Sequence, residues 1–134
     1  MTMKQPGLEE LERRAREIAR GHNIEWGLLT RFGTVQKLWA CVLQDTSGYH
    51  FVTMDEDGSE FERRTTQNAD DVLYWVISDA AHRAALGSFF PRPKDNRLSR
   101  LAWFERELEI LGWISPEWQR RRKAELNEIL RANP

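Results

Sequence analysis

The sequence predicts an α+β fold: an N-terminal helix, a three- to four-stranded antiparallel meander, then three helices packed on the sheet. In the first half of the chain, short apolar stretches alternate with turn sequences, a pattern typical of strands. In the second half, charged segments carry apolar residues at three- and four-residue spacing, which is typical of helices. Between the halves lies the most hydrophobic long segment, residues 71–87, which we expect to form a buried central helix.

Length and composition indicate one globular domain over residues 1–134. Of the 134 residues 40% are hydrophobic and 31% are charged, enough for a core of its own. The formal net charge is −1, which gives no general attraction for nucleic acid or an anionic membrane. The N-terminal residues include no apolar signal segment, and no stretch approaches the ~20 apolar residues of a membrane span. We therefore expect a cytoplasmic protein.

The N-terminal half begins with an amphipathic pattern from Leu8 to Ala19, which predicts a helix that Gly21 ends in a left-handed conformation. Residues 24–32 alternate more weakly and predict a short strand. Residues 35–44 predict the clearest strand, and because it is apolar on both faces we expect it inside the sheet. This strand contains the only cysteine, Cys41, which we interpret as a buried structural thiol.

A hairpin is predicted next, from strands over residues 49–54 and 59–65 joined by the turn sequence DEDG. Its second strand is rich in charged residues, which is typical of an edge strand protected against pairing with other chains. Asn68 is expected to cap the central helix, with Asp71 in the position of a capping-box acid.

Two amphipathic helices are predicted after the central one. Residues 88–95 contain two prolines and predict a loop. The first helix runs from Leu98 to Leu111 and is expected to end at Gly112. The second begins with Ser115 as its cap and Pro116 in its first position. Their expected apolar faces are Leu98, Leu101, Phe104, Leu108 and Leu111 in the first, and Trp118, Leu126, Ile129 and Leu130 in the second.

Charge is unevenly distributed along the chain. The hairpin is acidic, and the segment after the central helix is basic. Solvated turns and a protected edge strand explain this pattern without a function, whereas the alternative is a surface that attracts a partner of opposite charge. In that alternative the candidate contact residues are Asp55, Glu56, Asp57, Glu60 and Glu62 in the hairpin, and Arg92, Lys94 and Arg97 in the basic segment. We interpret the basic run over residues 120–123 as a solvated helix face, because glutamates follow at pairing distance.

No residue pattern predicts catalysis. The three histidines belong to no metal-ligand motif, and nucleophile, phosphate-loop and dinucleotide motifs do not occur. We therefore expect no catalytic residues, no metal and no cofactor. A small enzyme would have to use Asp79 and His82 with the arginines at Arg97 and Arg100. A cleft joining these residues, with His82 at its floor, would support an enzyme, and an exposed His82 would argue against one.

The C-terminal half resembles the immunity protein 63 family of bacterial polymorphic toxin systems, over roughly residues 71–130. The matching pieces are Asp71-Val72-Leu73-Tyr74-Trp75-Val76, Arg100 four residues before Phe104, Leu108-Glu109-Ile110-Leu111-Gly112, and Pro116-Glu117-Trp118 at the head of a basic, Glu-rich helix. The resemblance implies a non-catalytic protein that binds a cognate toxin and neutralises it by covering its active site. A basic nuclease would suit the acidic hairpin. Another interaction module, such as a regulatory adaptor or a phage-type inhibitor, is the alternative, and the oligomeric state is open.

Overall fold

The structure, a computed structural model, describes residues 5–34, 40–87 and 96–132, and within these ranges four α-helices and four strands form an α+β fold in the predicted order. The elements are α1 (Leu8–Gly21), a 3-10 helix (Trp26–Leu28), β1 (Arg31–Phe32), β2 (Ala40–Asp45), β3 (Gly48–Met54), β4 (Glu60–Thr66), α2 (Ala69–Gly87), α3 (Arg97–Ile114) and α4 (Pro116–Ala132). The predicted loop over residues 88–95 lies outside the described residues.

The four described strands form one sheet in the order β1-β2-β3-β4. The pairs β2–β3 and β3–β4 are antiparallel, but β1 runs parallel to β2, with Arg31 opposite Cys41. The sheet is therefore mixed, and the expectation of a purely antiparallel meander is wrong in this detail. β4 is an edge strand, as predicted. Of the strand predicted over residues 35–44, β2 contains the part from Ala40, and residues 35–39 lie outside the described ranges.

The strand predicted over residues 24–32 is wrong for all but its last two residues. The backbone N–H of Ile24 donates to the carbonyl of Ala19 at 2.9 Å, so Ile24 still belongs to the end of α1. Asn23 takes the left-handed conformation there, with φ 57°, whereas Gly21 remains helical. This bond from the second residue after the cap is the Schellman arrangement. Within the segment, Ile24 and Leu29 are buried against the helices instead of lying on one face of a strand.

The hydrophobic core lies between the sheet and α2. Every residue of α2 from Val72 to Ser78 is buried, as its continuous apolar sequence predicts. Phe51 of β3 packs against Trp75 of α2 with ring centroids 6.1 Å apart. α1 packs on α2 and on the sheet, α3 packs on α2, and α4 packs on α3. Trp118 joins α4 to α2 as well, because its ring centroid lies 6.0 Å from that of Tyr74 on α2.

The start signals of the helices are confirmed. The Asn68 side chain accepts a hydrogen bond from the N–H of Asp70 at 2.9 Å, and the Ser115 hydroxyl accepts one from the N–H of Trp118 at 3.1 Å. Asp71 does not complete a capping box. Its carboxylate instead accepts a hydrogen bond from the Thr66 hydroxyl at 2.8 Å and pairs with Arg121 at 2.9 Å.

Gly112 does not end α3, which continues to Ile114. A Cβ at this position would lie 2.3 Å from the side-chain nitrogen of Gln119, so the missing side chain lets α4 approach. The Gln119 amide then donates to the carbonyl of Leu108 at 3.0 Å. The apolar face expected for α3 is only partly correct, because Leu98 is 80% exposed. The buried residues of α3 are Trp103, Phe104, Glu107, Ile110 and Leu111.

Candidate functional site

The acidic hairpin, residues 55–62, has a turn that its own carboxylates hold in shape. The Asp55 carboxylate accepts hydrogen bonds from the N–H of Asp57 at 3.2 Å and of Ser59 at 3.1 Å. The Asp57 carboxylate accepts a further one from Ser59 at 2.8 Å. Such bonds from an aspartate to the backbone two residues on are a common way of fixing a turn. Glu56 and Asp57 are exposed at the tip.

Two of the three glutamates of the acidic hairpin, Glu60 and Glu62, lie on the exposed edge strand β4 and are already paired. Glu60 lies 2.7 Å from Arg63, and Glu62 lies 2.7 Å from Arg64. Hydrogen bonding to Arg63 lowers the pKa of Glu60, which therefore stays ionised at neutral pH. Five acids against these two arginines leave residues 55–64 with a charge of −3. The segment thus remains acidic after its internal ion pairs are counted.

The predicted basic contact residues are described only in part. Arg92 and Lys94 lie outside the described residues. Arg97 is the first residue of α3 and is exposed, next to the capping residue Asn96. Arg97 therefore stays a candidate contact residue on geometric grounds, since a partner can reach it.

Asp45, Ser47 and His50 meet at the β2–β3 turn, an arrangement that the sequence analysis did not identify. The Ser47 hydroxyl donates to the Asp45 carboxylate at 2.6 Å, and Nε2 of His50 lies 2.9 Å from the same oxygen. In a hydrolytic triad the acid and the serine lie on opposite ring nitrogens. Here both lie on Nε2, while Nδ1 faces the Thr65 hydroxyl at 2.9 Å. The hydrogen bonds from Ser47 and His50 lower the pKa of Asp45, and the network fixes the turn.

A buried ion cluster joins α2, α3 and α4. Glu107 of α3 is fully buried, and its carboxylate lies 3.1 Å from Nε of Arg122 on α4. Nδ1 of His82 on α2 lies 3.0 Å from the same carboxylate, close enough for an ion pair but without the alignment of a hydrogen bond. Burial opposes the charge of Arg122, but Glu107 and Glu125 outweigh it and raise the pKa of the guanidinium.

A second set of polar contacts extends this cluster along α2 and α4. The Tyr74 hydroxyl donates to Glu125, and burial together with this bond raises the pKa of Tyr74. Arg121 stacks over the Tyr74 ring at 4.0 Å and pairs with Asp71. The interpretation of residues 120–123 as a solvated helix face is therefore wrong for Arg121 and Arg122, because both bind α2 or α3 across the helix interface.

The sequence did contain a signal for the buried ion cluster. Arg122 lies four residues after Trp118 and four before Leu126, in the middle of the apolar stripe of α4. Glu107 likewise lies three residues after Phe104, inside the buried stripe of α3. A charge in such a stripe faces the core because of helical periodicity. Buried charges need a partner of opposite sign, so the acid in the stripe of α3 and the base in the stripe of α4 together predict an ion pair between the two helices.

Asp79 and His82 share a small pocket of about 90 Å³ between the sheet and the helices. Among its described lining residues the arginines are Arg64 and Arg122, and not the expected Arg97 and Arg100. Asp79 pairs with Arg83 at 3.1 Å, and the His82 side chain is 33% exposed. The pocket therefore joins Asp79 and His82, as a cleft supporting an enzyme would, but its described lining does not join them to Arg97 and Arg100. Its ionisable groups lie beside other charged groups of the protein.

Replacing Asp79 with asparagine is expected to raise the melting temperature at neutral pH by about 3 °C. Burial raises the pKa of Asp79 despite the opposing effects of Arg83 and His82. A carboxyl whose pKa is higher in the folded state costs stability as the pH rises above its unfolded-state pKa, and the cost is complete above the folded-state pKa; an amide avoids it. The gain should disappear as the pH falls through the carboxyl pKa, where the wild type is neutral as well.

Thermal unfolding followed by circular dichroism at several pH values measures this effect. Glu128→Gln is the matched control for the removal of a carboxylate, because Glu128 is 67% exposed and its replacement should leave the melting temperature at neutral pH nearly unchanged. A lower melting temperature for Asp79→Asn at neutral pH would mean that the Arg83 ion pair outweighs the cost of burial.

Among the described residues, no three His, Cys, Asp or Glu side chains are grouped so that they could hold a metal ion. In the same ranges, no helix is long and apolar enough to cross a bilayer.

Comparison with known proteins gives a match to a protein family. Residues 45–128, more than half of the chain, match the model of the family described as Immunity protein 63. This range begins at the β2–β3 turn and ends in α4, so it contains the acidic hairpin and the buried ion cluster. It confirms the resemblance seen in the C-terminal half and extends it to β3 and β4. Neither the curated proteins nor the solved structures give a match. The chain belongs to the immunity protein 63 family.

Proposed function

We propose that this protein binds a cognate toxin and blocks the toxin's active site, without catalysis of its own. The family match carries the proposal, because membership implies an immunity protein of a toxin system. The pairing of the ionisable groups around Asp79 and His82 with other protein charges supports a non-catalytic role. In this proposal the protein acts in the cytoplasm, beside the toxin that it neutralises.

The acidic hairpin is the surface that we propose for toxin binding. It lies inside the family match, its residues are exposed along β4, and it remains acidic after its internal ion pairs are counted. Phe61, which is 73% exposed, stands between Glu60 and Glu62. An exposed aromatic residue surrounded by charges is a typical centre of binding energy in protein interfaces. Arg97, with Arg92 and Lys94, is the proposed second contact region.

This chemistry suits a basic toxin, such as a nuclease whose active site binds phosphate groups. Carboxylates at the tip, Glu56 and Asp57, would occupy positions that phosphates otherwise take. Opposite charges also increase the rate of association. A specific interface of ordinary size buries about 1,600 Å² in total, which is enough to cover an active site.

The decisive experiment is co-expression with the product of the adjacent gene. We expect growth to be rescued by the wild type, and the purified proteins to form a one-to-one complex. A toxin that is neither bound nor neutralised would overturn the proposed function. Rescue without a stable complex would overturn occlusion as its mechanism.

Charge and aromatic variants of the acidic hairpin test the contact surface. Glu56→Lys and Phe61→Ser are each expected to raise the Kd for the toxin by about tenfold. Neither position supports the turn, unlike Asp55 and Asp57, so the fold should be preserved. Glu128→Lys makes the same charge change on α4 and should leave the Kd unchanged. Equal affinities for wild type and both hairpin variants, measured by calorimetry, would show that the toxin binds elsewhere.

A further inference from the structure

A second surface with binding character lies between α1, α2 and α3, and we call it the α1–α3 groove. It consists of two adjoining cavities of about 280 and 470 Å³ that share Ile24. Their floor is apolar and includes Ala19, Ile24 and Ile110. Sites of this size are large enough for several side chains of a partner. The groove shares no described lining residue with the acidic hairpin.

The end of α1 creates the first wall of the groove. Because Asn23 adopts the left-handed conformation, the chain reverses and Ile24 returns to the last turn of α1. Ile24 is held there by its N–H bond to the carbonyl of Ala19 at 2.9 Å. An apolar contact between these two positions commonly accompanies a Schellman end. The wall is therefore fixed by local backbone hydrogen bonds before any partner binds.

Trp113 of α3 forms the opposite rim and is 55% exposed. Arg106 lies seven residues earlier, on the same helical face, with its guanidinium 5.1 Å from the centre of the Trp113 ring. The Glu109 carboxylate pairs with the same guanidinium at 2.7 Å. One part of the tryptophan ring is thus ordered by a cation, while the rest faces solvent beside the apolar floor. Ordered, exposed tryptophans are over-represented at centres of binding energy.

The charged side chains that line the groove belong to arginines, two of which pair with glutamates outside the lining. Arg16, Arg20 and Arg106 line the groove, and its described lining includes no aspartate or glutamate. Arg16 pairs with Glu12, one turn away on α1. Arg20 is exposed, and in the part of the chain that the structure describes it forms no ion pair. An apolar floor within a rim of arginines is complementary to apolar side chains flanked by carboxylates.

We propose that the α1–α3 groove binds an acidic amphipathic segment of the toxin. Large apolar side chains of that segment would lie on the floor against Trp113, and its carboxylates would pair with the arginines of the rim. This inference rests on the proposed function and adds a second contact surface to the acidic hairpin. The α1 wall precedes the matched residues 45–128, whereas Trp113 lies within them.

The test uses the full chain and the toxin encoded beside it. Trp113→Ala and Arg20→Glu are each expected to raise the Kd by about tenfold or more, because they remove the anchor and reverse a rim charge. Arg120→Glu is the matched control for the charge reversal, since Arg120 is exposed and lies outside the groove. Thermal unfolding of each variant shows whether the fold is intact. Hydrogen exchange of the complex should show protection in residues 16–24 and 106–113.

The outcomes separate this inference from the proposed function. If the wild type binds the toxin and both groove variants bind equally well, the groove assignment is wrong and the immunity function stands. If the groove variants instead change the oligomeric state of the free protein, the occupant is a second copy of this chain. If the wild type neither binds nor neutralises the toxin, the proposed function fails, and the inference fails with it.

Discussion

Replacing Arg122 with alanine is expected to lower the free energy of unfolding by about 3–5 kcal/mol. Its guanidinium lies 3.1 Å from the carboxylate of Glu107, which is completely buried. Without Arg122 this carboxylate would keep, among the described residues, only His82, a partly exposed residue whose contact is not aligned as a hydrogen bond. An uncompensated buried charge is among the most costly defects in a protein core. Since domains are typically stable by about 5–15 kcal/mol, the loss is a large fraction of the total.

Urea unfolding of the variant, followed by tryptophan fluorescence, measures this loss. The double variant Glu107→Gln with Arg122→Met should recover most of the stability, because it removes both charges and keeps similar volumes. Arg131→Ala is the control on the same helix. Its side chain is 73% exposed and, within the part of the chain that the structure describes, pairs with the exposed Glu128 alone, so we expect a change within about 0.5 kcal/mol. A loss below about 1 kcal/mol for Arg122→Ala would mean that water reaches Glu107.

The elements that the sequence predicted well are those whose environment is uniform along the segment. α2 is apolar on nearly every side, so its burial between the sheet and the other helices follows from composition alone. The strands β3 and β4 are separated by a turn whose aspartates bond to the backbone, and that chemistry is readable in the sequence. Asn68 and Ser115 act as caps for the same local reason.

Prediction failed where tertiary contacts decide the local structure. Residues 25–30 alternate in sequence as in a strand, but Trp26–Leu28 form a 3-10 helix, and Ile24 and Leu29 are buried in the core formed with the helices. Gly112 has the sequence signature of a helix end, but its missing side chain instead makes room for Gln119 of α4, which no local pattern could show. Leu98 fits the apolar spacing of α3, yet it is exposed in the first turn of the helix. Sequence periodicity identifies the apolar face of a helix, but the element packed against the helix determines how much of that face is buried.

The two surfaces differ in how much of them the sequence could reveal. The acidic hairpin was identified because its charges are consecutive, although pairing of Glu60 and Glu62 with arginines of the same strand was not anticipated. The α1–α3 groove was missed because its residues come from three helices. Arg20 and Trp113 are more than ninety positions apart, and no local pattern connects them. A site of this kind becomes visible only when the helices are assembled.

Replacing Gly48 with alanine is expected to lower the free energy of unfolding by about 2–4 kcal/mol. Gly48 begins β3 with φ 129°, a backbone conformation that residues with a side chain rarely adopt. A Cβ there would lie 2.5 Å from the carbonyl oxygen of Thr66. That oxygen belongs to β4, where Thr66 is opposite Tyr49, so it cannot withdraw without disturbing the sheet. The variant therefore combines backbone strain with a steric clash.

Two other glycines separate these two contributions. Gly33 also has a positive φ, 78°, but a Cβ there would meet only Leu8, at 3.7 Å, so Gly33→Ala should show the strain alone, about 1 kcal/mol. Gly87 has neither feature, and Gly87→Ala should be neutral or slightly stabilising. Equal losses for the Gly33 and Gly48 variants in urea unfolding would show that Thr66 yields freely. A larger loss at Gly48 would show that the junction is rigid, because the Thr66 hydroxyl also binds Asp71 at the start of α2.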